Sequence, residues 1–251
     1  MSKTKVSVVS YLNSKPFIYG LHHSEIMNQI DLQQDIPSEC ARKLMEGNVD
    51  IGLIPVAVLP QLNEYHIISD YCIGAEGKVA SVMLYSNVPL DKIETVLLDY
   101  QSRTSVMLVK VLAHFFWKIN PEWVPAKAHY ENDIQGTTAA VIIGDRTFGL
   151  EDKYTYSYDL AEEWQKFTQL PFVFACWVAN KKLPDSFINE FNKALKYGLD
   201  NRTILIAELI KEKAYHTDID TYLNQNIQFN YTDASKKALY LFLSYISRLA
   251  G

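Results

Sequence analysis

The run Asp99-Tyr-Gln-Ser-Arg-Thr-Ser105 gathers three aliphatic hydroxyls and one arginine between an apolar strand pattern and a helical one. A helix beginning at Thr104-Ser105 would offer free backbone N–H groups and the positive end of its dipole, with Ser102, Arg103, Thr104 and Ser105 beside them. That combination suits a carboxylate or a phosphate. Ser102 or Thr104 could equally serve only as the helix cap. The loop lacks the glycine spacing of a phosphate-binding or dinucleotide-binding motif.

Other polar residues stand at the ends of apolar runs. Ser10, Tyr11 and Asn13 follow the first such run, and Asn13 could donate to a ligand oxygen or only stabilise its own turn. Pro55 and Val56 follow the second. Ser81 lies within a further run, where a serine is either packing filler or a hydroxyl facing a cleft. Asp145 follows Gly144 and could meet a ligand or cap the next segment. The three cysteines, Cys40, Cys72 and Cys176, have neither metal-ligand nor disulfide spacing and are expected to be buried thiols. His22-His23 has no partners at ligand spacing, no serine nucleophile elbow is present, and neither a metal nor a cofactor is expected. Tyr154 to Tyr158 could be a surface loop or a lid over a planar ring.

The elements that must hold these residues follow from pattern. Strands are expected over 5–9, 49–54, 79–85, 94–98, 138–143 and 172–178. A helix over 35–47 has Ser38 as candidate cap and Gly47 as its stop. Another runs over 106–117, and Asp159 with Glu162 three residues on opens a third. From residue 184 only helices are expected, starting at Asp185, Thr203 and Thr232. Strand–helix–strand order implies parallel crossovers, and open parallel sheets bind ligands beyond the carboxyl ends of their strands. Those ends carry Ser10–Asn13, Ile54–Val56, Asp99–Ser105 and Gly144–Asp145. A helical tail with no sheet of its own must cover a sheet built earlier. The expectation is therefore an α/β protein of two lobes, one from 1–87 with 179–251 and one from 88–178, with strands 79–86 and 172–178 as crossings. A single doubly wound sheet is the alternative.

Size and charge set bounds. The chain has 251 residues, 48% hydrophobic and 21% charged, which excludes disordered and fibrous classes. A net charge of −5 gives no support to nucleic-acid binding. No apolar stretch of signal-peptide or membrane-span length is present, so a cytoplasmic location, with no membrane or nucleic-acid partner, is expected.

Taken in order, Ser10-Tyr-Leu-Asn-Ser-Lys-Pro16, Asp50-Ile-Gly-Leu-Ile-Pro55, Asp99 to Ser105, Ile143-Gly-Asp145, Tyr158-Asp-Leu-Ala-Glu-Glu-Trp164 and Leu170-Pro-Phe-Val-Phe-Ala-Cys-Trp177 resemble the chorismate dehydratase family of the futalosine route to menaquinone. The resemblance covers residues 5 to about 180; Phe148 and Lys15 depart from it. It implies a type II periplasmic-binding-protein-like fold with the ligand between lobes. It also implies loss of water from chorismate to give 3-[(1-carboxyvinyl)oxy]benzoate without a cofactor, by a monomer or a homodimer. Carried onto this chain, the 104–105 helix start and Arg103 would bind one carboxylate. Asn13 and its loop would hold the ring hydroxyl or the second carboxylate, and Ser81 would assist departure of the hydroxyl. The general base stays open, one route being the substrate's own enolpyruvyl carboxylate. A non-catalytic small-anion-binding protein, a sensing domain of a regulator and the dihydroxynaphthoate-forming sister enzyme are the rivals.

Overall fold

The computed structural model describes residues 3–249 and contains two mixed β-sheets with helices packed against them. The first sheet begins with β1 (Thr4–Val9), β2 (Ile30–Asp35) and β3 (Ile51–Pro55). β1 runs parallel to both neighbours, as strand–helix–strand order requires. The connections carry α1 (Lys15–His22) and α2 (Pro37–Met45). β4 (His66–Ala75) then joins the same sheet, which later accepts β10 (Phe172–Ala179) and β11 (Gln228–Asn230), giving the order β11-β4-β10-β3-β1-β2. β10 lies antiparallel between β3 and β4, and all eight of its residues are buried. That explains its unbroken apolar sequence, since both faces of a central strand are covered.

The second sheet holds β5 (Val82–Ser86), β6 (Thr95–Leu98), β7 (Glu122–Pro125), β8 (Thr138–Ile143) and β9 (Tyr156–Asp159), in the order β7-β6-β8-β5-β9. Between β6 and β7 runs α3 (Arg103–Val111), which continues as a π-helical stretch to Trp117. After β9 comes α4 (Leu160–Thr168), capped by the Asp159 carboxylate through the N–H groups of Ala161 and Glu162. The C-terminal part supplies α5 (Asp185–Asp200), α6 (Arg202–Glu212), the single turn α7 (Ile219–Thr221) with a π-helical continuation over 222–226, and α8 (Asp233–Leu249). α5 lies against α1 so closely that a Cβ on Gly198 would sit 1.8 Å from the Pro16 carbonyl oxygen. The helix that follows the Asn13 turn is thereby pinned from the C-terminal half.

Several expectations are corrected. The division at 87/88 and 178/179 separates β5 and β10 from the strands they pair with. β5 belongs to the second sheet and β10 to the first. The chain passes between sheets over 76–81 and, in return, through α4 and the residues up to 171. Ser38 does not cap α2; Pro37 stands in its first turn, Ile36 is the cap position, and the Ser38 N–H donates to the Gln101 carbonyl. The tail is not purely helical, because β11 adds an edge strand to the first sheet. Tyr156 to Tyr158 are neither loop nor lid but strand β9, paired with β5. Lys15–His22 forms α1, with Pro16 in the first turn where proline is tolerated. The three cysteines are buried and free.

Candidate active site

A cavity of about 50 Å³ lies at the divide between the two sheets. Its polar lining comes from three places in the chain: Tyr11, Asn13 and Ser14 after β1, Ser81 just before β5, and Ser102 with Ser105 at the start of α3. Its apolar wall includes Pro55, Ile143 and Phe174. None of the lining residues is charged.

Each of these segments is fixed by local chemistry. Ser102 caps α3: its Oγ accepts the Ser105 N–H at 3.0 Å and its hydroxyl donates to Ser105 Oγ at 2.9 Å. Thr104 is buried one step round the helix and faces the protein. Its Oγ1 donates to the Phe174 carbonyl at 3.1 Å and accepts the Ala57 N–H at 3.2 Å, tying α3 to the first sheet. Asp99 follows β6, its carboxylate accepting the Gln101 N–H at 2.7 Å and the Tyr130 hydroxyl at 2.6 Å. The Arg146 guanidinium pairs with Asp99 and with Glu131 and lies over the rings of Tyr100 and Tyr130. Asp159 reaches back from the second sheet to accept the N–H groups of Val79 and Ala80 at 2.9 and 2.7 Å, which fixes the crossing segment in front of Ser81. Ala80 takes a left-handed conformation there.

The two sheets are joined across the cavity. The Tyr11 hydroxyl donates to Gln101 Oε1, and the Leu12 N–H donates to the Asp145 carboxylate at 3.1 and 3.2 Å. Gly144 has φ +64°, and a Cβ there would come within 2.6 Å of the Tyr11 ring. Burial pushes the Asp145 carboxyl up to about 6, against the opposing pull of the Leu12 N–H and Lys15.

Of the residues singled out from sequence, the structure brings Tyr11, Asn13, Pro55, Ser81, Ser102 and Ser105 to the cavity. Ser10, Val56, Arg103, Thr104 and Asp145 are not on its lining. Arg103 is exposed, because the helical rotation that turns Ser102 and Ser105 inward turns its neighbour out. Asp145 meets the Leu12 backbone instead of the cavity, and Val56 is core. Sequence reading missed Tyr222. It is 1% exposed, and its hydroxyl donates to Ser81 Oγ at 2.8 Å. Asn13 stands near enough to bias the ionisation of the same phenol. No local pattern marks Tyr222, which sits in a short, mostly polar helical stretch 141 positions away from Ser81.

Two sheets bridged by crossing segments, with a cavity at the divide, define the class: a type II periplasmic-binding-protein-like fold. A protein of Archaeoglobus fulgidus superposes with a TM-score of 0.78 at 13% identity, covering 99% of this chain and 98% of that one. A Candida albicans protein described as having the generic periplasmic binding protein fold gives 0.65 at 12% identity, over 100% and 92% of the two chains. The periplasmic aliphatic sulphonate binding protein of Escherichia coli gives the same score, identity and coverage. Within that fold, the chain belongs to the menaquinone biosynthesis family, whose model matches residues 4–248. Chorismate dehydratase of Thermus thermophilus is 24% identical, over 86% of this chain and 89% of its own length.

Proposed function

We propose that this chain is a cytoplasmic chorismate dehydratase of the futalosine route, converting chorismate to 3-[(1-carboxyvinyl)oxy]benzoate. The observation that carries the reading is the convergence of Asn13, Ser81, Ser102 and Ser105 on one cavity between the sheets. Family membership and the Thermus relative point the same way.

Chorismate is a cyclohexadiene with two carboxylates. Loss of its ring hydroxyl and the neighbouring ring hydrogen makes the ring aromatic, so the reaction is driven by the product and needs positioning more than a strong acid or base. In the proposed arrangement the start of α3 takes one carboxylate through neutral donors, its free N–H groups and the Ser105 hydroxyl, which Ser102 orients from behind. Asn13 holds the ring hydroxyl or the second carboxylate. Ser81 hydrogen-bonds the departing hydroxyl, which leaves with the C–O electron pair. The ring proton passes to the substrate's own enolpyruvyl carboxylate and on to the departing oxygen, forming water. The uncharged, largely apolar lining strengthens each of these hydrogen bonds relative to water.

The test is direct. Purified protein is mixed with chorismate and the products are followed by liquid chromatography with mass detection. A product lighter by one water, co-eluting with the enolpyruvyl-oxybenzoate, supports the reading. Thermal stabilisation by chorismate without turnover would favour a binding protein, as the likeness to the sulphonate-binding fold allows, or the dihydroxynaphthoate-forming sister enzyme. The absence of both turnover and stabilisation would rule out chorismate as the ligand.

A further inference from the structure

Ser81 lines the cavity and is 1% exposed. A serine hydroxyl has one proton to give and two lone pairs. One lone pair already receives the Tyr222 hydroxyl at 2.8 Å. Among the described residues Ser81 Oγ has no acceptor for its own proton, although the atom is shielded from solvent. A buried hydroxyl proton without a partner is costly unless something in the cavity receives it.

Tyr222 is itself held on several sides. It begins the π-helical stretch 222–226, a kind of irregularity common at functional sites. Its N–H donates to the Asp218 carbonyl at 2.9 Å. The Phe148 ring meets its ring edge-on, with centroids 5.2 Å apart. From the same stretch, Asn226 Nδ2 donates to the Lys78 carbonyl at 3.2 Å. The 222–226 turn therefore clasps the crossing segment 78–81 at both ends. Burial and the nearby Asp145 charge push the Tyr222 phenol up, so it stays protonated and remains a donor.

We propose that Tyr222 is a positioning residue that makes Ser81 an obligate donor into the cavity, aimed at the hydroxyl that leaves the substrate. This rests on the chorismate reading for the identity of that hydroxyl, but not for the orientation of Ser81. No bond to Tyr222 forms or breaks. As the C–O bond of the substrate breaks, its electron pair goes to the departing oxygen, which Ser81 hydrogen-bonds. The Tyr222 proton stays on the phenol and holds Ser81 Oγ from behind. Phe148, which departs from the resembled family, acquires a role as the wall that fixes the Tyr222 ring.

The experiment compares wild type, Tyr222→Phe, Ser81→Ala and the double variant, in steady-state kinetics with chorismate and in crystal structures without ligand. Phe keeps the ring packing, so melting temperatures serve only to confirm that all four proteins fold. Tyr222→Phe is expected to lower kcat by about tenfold or more while KM stays within about threefold. The double variant is expected to be no slower than Ser81→Ala, because Tyr222 acts only through Ser81. The Ser81 side chain should take one rotamer in wild type and several in Tyr222→Phe. A Tyr222→Phe enzyme within about twofold of wild type, losses that add in the double variant, or a fully active Ser81→Ala enzyme would each overturn the proposal. If wild type does not turn over chorismate, the functional reading fails by itself. The rotamers then decide: disorder of Ser81 in Tyr222→Phe upholds its positioning by Tyr222, and an unchanged rotamer refutes it.

Discussion

The Asp145 carboxylate receives the backbone N–H of Leu12 through both oxygens, at 3.1 and 3.2 Å, across the divide between the two sheets. Leu12 belongs to the turn after β1, and Asp145 to the turn after β8. The same turn carries Tyr11 and Asn13 into the cavity, so the residue that closes the lobes also sets the height of the site loop. Replacing Asp145 by Ala removes the acceptor. We expect kcat/KM for chorismate to fall by about tenfold or more, whereas Asp145→Asn, which keeps one acceptor oxygen, stays within about threefold. Equal losses in the two variants would show that charge, not the Leu12 contact, is what matters.

The pH dependence of stability should carry the same residue's signature. The Asp145 carboxyl is moved from its usual 3.8 to about 6 by burial. An acid with a raised folded-state value binds a proton in the fold that the unfolded chain has released. Its contribution is therefore fully present below about 3.8 and is lost as the pH rises through about 6. Relative to wild type, Asp145→Asn should gain stability between pH 4 and 6, by at most about 3 kcal/mol. Urea unfolding of both proteins across that range gives the difference; a flat one would contradict the assignment.

Ser81→Ala and Asn13→Ala address the proposed chemistry directly. Each should lower turnover of chorismate by about a hundredfold while the fold survives, since each deletes one hydrogen bond to the reacting region of a substrate that is otherwise still held. Melting curves close to wild type together with the kinetic loss would meet the expectation. Near-wild-type turnover in both variants would sink the assignments.

Gly144 provides a steric test of the closed arrangement. Its φ of +64° disfavours any side chain, and a Cβ would press on the Tyr11 ring at 2.6 Å. Gly144→Ala should cost about 2–4 kcal/mol of stability, combining the left-handed penalty with displacement of Tyr11. Substrate affinity should fall with it, because Tyr11 lines the cavity. A variant that melts with wild type would mean that the lobes stand further apart in solution.

Much of this arrangement was legible from local pattern. The strand ends at Asn13, Pro55 and Ser102 are visible because turn and cap chemistry is local, and all three reach the cavity. Arg103 was misjudged for a geometric reason: residue type suggests a charge for the anion, but helical phase points it outward. Asp145 was noticed without its role, since its partner is a backbone N–H 133 positions away. Tyr222 was invisible, because its meaning lies in a contact with Ser81 that only the folded tail creates. The lobe boundaries slipped because β5 and β10 read as strands without stating which sheet would claim them; pairing is decided by partners distant in sequence.

The place of β10 bears on how the chain is assembled. It sits between β3 and β4, yet it is made about a hundred residues after β4 ends. As the chain emerges from the ribosome, the strands up to Ala75 have their central neighbour missing and cannot complete a sheet. The second sheet, by contrast, is closed by Asp159 and can form first. The N-terminal lobe, synthesised earliest, is therefore the later one to consolidate, and until residue 179 is released it offers two unpaired strand edges to chaperones or to aggregation.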